Sequence, residues 1–160
     1  MKLDILVFGA HPDDVELGCG GTVIKEVKAG KNVGIIDLTR GELGTRGNSD
    51  TRTAESKLAS EIMGVIVREN MDFKDGFFKD DEFHKLALIK KIRQFKPEIV
   101  ITNAVSDRHP DHGRGAEITV DACFLSGLEK VETGQEKWRP RAIYPVSYTH
   151  LRAHETPEHL

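Results

Sequence analysis

The stretch Leu3–Asp14, LDILVFGAHPDD, decides how the rest of the chain is read. Apart from Asp4 its first six residues are apolar, which suits a strand covered on both faces. Gly9 ends the run, and histidine, proline and two aspartates follow at once. Glu16–Ala29 then reads as a helix, closed by Gly30. Val33–Leu38 (VGIIDL) reads as a second buried strand. Strand, loop, helix and strand in this order make a crossover unit with parallel strands.

The same rhythm continues outward. Thr39–Asn48, with Gly41, Gly44 and Gly47, reads as a loop. Ser49 or Asp50 caps a helix running to about Met63, which Gly64 ends. Val65–Val67 is expected as a short third strand. Asp81 caps a helix whose Phe83, Leu86, Ile89, Ile92 and Phe95 keep helical spacing, with Pro97 just after its end. His84 in that helix reads as a surface residue. Glu98–Thr102 (EIVIT) is a fourth strand, Asn103–His112 a polar loop and Gly113–Leu128 a helix, and Arg141–Tyr144 begins a fifth strand. The expected fold is α/β: a Rossmann-like, doubly wound, mostly parallel sheet in the order 3-2-1-4-5 with helices on both faces. The first and fourth strands are then neighbours where the winding reverses, and their trailing loops bound the ligand crevice.

Composition agrees with one domain. The chain has 160 residues, 38% hydrophobic and 31% charged, which is enough apolar matter for a core. No apolar run approaches the roughly 18 residues of a spanning helix. Asp4 interrupts any signal-peptide pattern. The net charge of −3 speaks against nucleic acid or an anionic membrane as partner. Cys19 and Cys123 lie far apart in helices and read as buried, reduced thiols of a cytoplasmic protein. Val146–Thr156 (VSYTHLRAHET) resembles the translation of a transposon sequencing adapter. The domain is therefore taken as 1–144 and 145–160 as a non-native tail, with the natural C-terminal part missing.

Two loops carry the chemistry. Ala10-His11-Pro12-Asp13-Asp14 follows the first strand, and Arg108-His109-Pro110-Asp111-His112 follows the fourth. Together they bring three histidines and three aspartates to one crevice. Imidazole with carboxylate suits zinc, and three protein ligands leave a position for water. Adjacent Asp13 and Asp14 repel unless positive charge lies between them. One can hold a metal while the other takes a proton.

AHPDD after the first strand and HPDH after the fourth resemble the LmbE-like (PIG-L type) zinc deacetylases, which remove acetyl from N-acetylglucosamine carried on another molecule. The resemblance runs from Leu3 to about Tyr144 and takes in Thr39-Arg40-Gly41-Glu42 and Arg52-x-x-Glu55. Within the family the chain is most similar to the bacillithiol-biosynthesis branch, which deacetylates N-acetylglucosaminyl malate. The resemblance implies that His11, Asp14 and His112 hold zinc, with Fe2+ able to take the same ligands. It makes Asp13 the general base, sets His109 beside the substrate carbonyl, and has Asp111 orient or tune a neighbouring histidine; in amide hydrolysis a protonated His109 is the expected donor to the oxyanion. Arg52 would contact the sugar or its attached group. The partner implied is a small-molecule conjugate, and the full-length protein is expected to be a homo-oligomer.

Three other readings share these residues. A nucleotide-binding module would use Asp37 on a ribose, but Gly18, Gly20 and Gly21 do not form G-x-G-x-x-G, and Asp13 and Asp14 would repel a pyrophosphate. A non-catalytic metal- or sugar-binding domain would take up metal without releasing acetate. An amidase would cleave a larger thiol conjugate.

Overall fold

Strand β1 (Ile5–Gly9) is buried along its whole length, and its alternation sorts two cores. Ile5 and Val7 join one apolar cluster; Leu6 and Phe8 join the other. The computed structural model describes residues 1–45 and 47–146. After β1 come α1 (Asp14–Lys28), β2 (Val33–Thr39), α2 (Ser49–Met63), β3 (Val67–Phe73), α3 (Glu82–Phe95), β4 (Ile99–Asn103), α4 (Pro110–Leu125) and β5 (Ala142–Val146).

The five strands form one sheet in the order β3-β2-β1-β4-β5, as the sequence reading expects, and every pairing is parallel. Ile5 sits between Val33 of β2 and Ile99 of β4. Val15, Cys19 and Val23 of α1 and Met63 of α2 cover one face with Ile5, Val7 and Ile35. Leu88, Ile89, Ile92 and Phe95 of α3, with Ile118 and Ala122 of α4, cover the other. Cys19 and Cys123 are both buried, as expected.

Four local expectations are corrected. The third strand is not Val65–Val67 but the longer VRENMDF segment, Val67–Phe73. Its polar side chains are each engaged: Arg68 with Asp37, Glu69 with Lys91, Asn70 with the Thr39 carbonyl, Asp72 with Arg40. An edge strand of this kind satisfies its charges across the sheet and so lacks an apolar signature. Helix α2 is capped by Asn48, whose side chain accepts the amides of Asp50 and Thr51 while Thr51 returns a bond to the Asn48 backbone. Helix α4 begins at Pro110, not Gly113, because proline is well suited to a first helical turn. His84 is half-buried rather than superficial, edge-on to Phe73 at 4.5 Å between ring centres and paired with Asp81.

The expected non-native tail lies outside the described residues apart from Pro145 and Val146. These two pair with Thr102 and Asn103, so β5 runs past the limit drawn at Tyr144. No helix among the described residues is long and apolar enough to cross a membrane.

Candidate active site

The carboxyl ends of β1 and β4 are fastened to each other before any reactive side chain is placed. The Ala10 amide donates to Asn103 Oδ1 at 2.9 Å. From the other side, Thr39 donates to the Ala10 carbonyl through both its amide and its hydroxyl. The peptide leading into His11 is thus held from both neighbouring strands. Asp14 opens α1 and accepts the His11 amide at 2.9 Å. At the other loop His109 is the N-cap of α4, its Nδ1 accepting the Asp111 amide, and Asp111 and His112 occupy the first turn.

This brings the expected residues together. The Asp14 carboxylate lies between two imidazoles, with Oδ2 3.4 Å from His11 Nδ1 and Oδ1 3.1 Å from His112 Nε2. Ring centres of His11 and His112 are 5.5 Å apart, and each is 4.7 Å from that of His109. One nitrogen from each of the three rings falls within 4.8 Å of the others. Burial divides the set. His11, Asp14 and His112 are buried, whereas Asp13 and His109 are exposed on a cleft of about 430 Å³. Arg52 lines the same cleft and pairs with Asp13, Nη2 to Oδ1 at 3.1 Å. Its Nη1 donates to the Gly41 carbonyl. Gly41 has φ +62°, and a Cβ there would lie 2.5 Å from Arg52 Cζ, so any other residue is strained and must displace the guanidinium.

Asp111 is wholly buried behind the cleft. Its Oδ2 accepts the Gly76 amide at 2.7 Å, its Oδ1 accepts Arg114 at 2.6 Å, and it lies 3.6 Å from His11 Nε2. The histidine beside its carboxylate is therefore His11, not His109.

Electrostatics follow the same division. Burial works against a charged His11, but the hydrogen bond and charge of Asp14, with the charges of Asp75 and Asp111, outweigh it and raise the ring to about 9. Burial likewise opposes ionisation of Asp14, yet His11 and His112 hold its carboxyl well below the usual range. His112 is raised because Asp14 and Asp107 overcome its burial. His109 goes the other way. Burial and the neighbouring His11 and His112 charges push it down, against weaker pulls from Asp111 and Asp14. The shift disfavours the protonated His109 expected from the sequence. Because its Nδ1 accepts the Asp111 amide, the neutral form of the ring carries its proton on Nε2.

Asp37, the candidate ribose ligand of the nucleotide reading, is 2% exposed and gripped by Arg68 through both oxygens at 2.8 and 3.0 Å. It faces no ligand.

Residues 6–123 match the model of the PIG-L family, GlcNAc-PI de-N-acetylase. The chain belongs to the PIG-L family. It is 29% identical over 134 residues to the diacetylchitobiose deacetylase of Thermococcus kodakarensis, covering 78% of this chain and 50% of that protein. It is 27% identical over 160 residues to the probable N-acetyl-alpha-D-glucosaminyl L-malate deacetylase 2 of Bacillus anthracis, covering 90% of this chain and 66% of that one. The crystal structure of a conserved protein from Thermus thermophilus matches with a TM-score of 0.87 at 40% identity, covering 90% of this chain and 66% of that chain. The chain spans about half the length of the first of these relatives.

Two carboxylates of this PIG-L domain escape a reading of the sequence. Asp107 Oδ2 stands 3.4 Å from His112 Nδ1, and Asp75 Oδ1 stands 3.1 Å from His11 Nε2. Asp107 precedes the HPDH motif within a run already read as polar loop. Asp75-Gly76 reads as an ordinary turn dipeptide.

Proposed function

We propose that this PIG-L domain hydrolyses the acetamide of an N-acetylglucosamine conjugate, releasing acetate and a free amine, and that the conjugate is N-acetylglucosaminyl malate of bacillithiol biosynthesis. The observation that supports this best is the shared carboxylate of Asp14 between buried His11 and His112, beside exposed Asp13 and His109 in one cleft.

Two imidazoles and a carboxylate fit a divalent cation and leave a coordination position open, with zinc first and Fe2+ on the same donors. A cation held by His11, Asp14 and His112 would supply Lewis-acid polarisation of the acetyl carbonyl and an acidified water. The remaining steps belong to the protein. Asp13 takes a proton from the attacking water as the new C–O bond forms. His109 Nε2–H donates to the carbonyl oxygen as charge gathers there. Asp13 then gives its proton to the amide nitrogen, the C–N bond breaks, and acetate and amine separate. Buried Asp111 keeps its place behind His11 and takes no proton in this scheme. Arg52 and Arg108 both line the cleft and suit the carboxylates of malate. The free, buried Cys19 and Cys123 fit a reducing cytoplasmic setting.

The test is acetate release by the purified, zinc-loaded protein from N-acetylglucosaminyl malate and from diacetylchitobiose, with and without a chelator. Chelator-sensitive release with the higher kcat/KM on the malate conjugate is the expected result. Release from neither substrate overturns the reading, and cleavage of a thiol-conjugate amide in its place identifies an amidase.

A further inference from the structure

The site described above uses only one side of the His11 ring. Its Nδ1 faces Asp14; its Nε2 faces a second pair of carboxylates, Asp75 and Asp111, and all three groups are buried. The two carboxylates are not equivalent. Asp111 is taken up by the Gly76 amide and Arg114 and stays 3.6 Å from the ring. Asp75 is at hydrogen-bond distance, 3.1 Å.

Asp75 also reaches in a second direction. Its Oδ2 accepts the Leu43 amide at 2.9 Å, and its own amide donates to Glu42 Oε1 at 2.9 Å. Leu43 and Gly44 form a wall of the cleft. The next residue, Gly76, has φ +72°, and a Cβ there would lie 3.0 Å from Leu43 Cδ1, so the turn and the loop are in close contact. One carboxylate therefore joins the His11 ring to the loop that a substrate meets.

We propose that Asp75 is a positioning residue that holds the His11 ring with Nδ1 toward Asp14 and tethers the loop at Leu43, a wall of the cleft, to it. This rests on His11 being a metal ligand. A carboxylate facing Nε2 requires the proton there, which leaves the Nδ1 lone pair for a cation; partners of this kind orient a ligating ring and raise its basicity. Asn in place of Asp75 meets the two donors, His11 Nε2–H and the Leu43 amide, with only one oxygen. It can serve either, not both.

The experiment compares the full chain with Asp75→Asn. Zinc affinity is measured by competition with a chromophoric chelator. His11 nitrogen resonances are read by NMR in the zinc-loaded protein, and exchange of the Leu43 amide by hydrogen–deuterium exchange. Asp75→Asn is expected to keep a zinc stoichiometry near that of the parent, to weaken affinity roughly 10–100-fold, and either to move the His11 Nε2–H signal or to speed Leu43 exchange. Protected β1 amides show that the variant is folded. Should it fail to fold, Asp75→Ser removes the carboxylate and leaves the main-chain contact to Glu42; the same changes are expected of it. Parent-like affinity with unchanged His11 signals overturns the positioning role alone. A parent chain that binds no zinc overturns the ligand reading of His11 and, with it, this proposal.

Discussion

Arg52 and Asp13 are joined at the cleft, 3.1 Å between Nη2 and Oδ1, although they belong to different crossover units. Arg52 is far more enclosed than Asp13, with side-chain exposures of 16% against 57%. The guanidinium is thus a fixed part of the wall, and the carboxylate is the group a ligand can reach. Replacing Asp13 by Asn removes the proton acceptor and leaves the buried donors untouched. Roughly a thousandfold loss of kcat is expected, with zinc content unchanged by elemental analysis. Turnover at the parent rate would show that another group is the base.

Gly41→Ala tests the seat of that guanidinium. The substitution places a methyl into Arg52 at a positive φ. It is expected to cost about 1 kcal/mol in urea unfolding and to raise KM for an anionic conjugate well above any change in kcat. Equal KM values for parent and variant would separate Arg52 from substrate binding.

Metal uptake should release protons. In the metal-free protein His11 is raised to about 9, so at neutral pH its ring is an imidazolium that a cation must displace. Zinc affinity is therefore expected to rise with pH as His11, and His112 whose ring is also raised, lose their protons. Calorimetric titrations in buffers of different ionisation enthalpy read the proton count directly, and buffer-independent heats at neutral pH would contradict it.

Arg93 is buried without a carboxylate partner among its described contacts. It donates instead to the carbonyls of Ser126, Leu128 and Val131 and to the Thr133 hydroxyl, gathering the chain after α4. Free carbonyls at a helix C-terminus carry partial negative charge that suits a cation. Arg93→Met removes these bonds, leaving Ser126 the Trp138 amide and Leu128 the Val131 amide as donors, and is expected to lower stability by about 1–3 kcal/mol, measured by urea denaturation, with the zinc affinity of the folded fraction unchanged.

Burial, with Glu16 nearby, pushes the Cys19 thiol up to about 11, and burial pushes Cys123 to about 12. At pH 8 the thiolate of Cys19 is then about one part in a thousand. Neither cysteine should be alkylated by iodoacetamide in the native protein, and both should react in guanidinium. Rapid native labelling of either, read by mass spectrometry, would contradict its packing.

The sheet order was legible because β1, β2 and β4 are dominated by apolar residues on both faces, which suits two-sided burial. β3 was not legible beyond Val67, since its alternation is written in ion pairs that exist only once Asp37, Lys91 and Arg40 are in place. The same division holds at the site. His11, Asp14 and His112 stand next to strand ends and inside repeated motifs, so counting strands brings them together. Asp75 belongs to neither motif, and its place depends on a turn packing against a loop more than thirty positions earlier. The downward shift of His109 was not legible either, because it depends on the burial of the ring and on its distances from two neighbouring imidazoles.

The bond from the Ala10 amide to Asn103 spans ninety-three positions of chain. Neither half of the donor set can assemble by itself, since His11 and Asp14 come with one strand and His112 with the other. A cation that needs all three recognises only the finished central pairing and has little hold on the unfolded polypeptide. Occupancy then becomes a gauge of global integrity: adding zinc should lift the melting temperature as a saturable function of concentration, and stripping it should bring the midpoint back down.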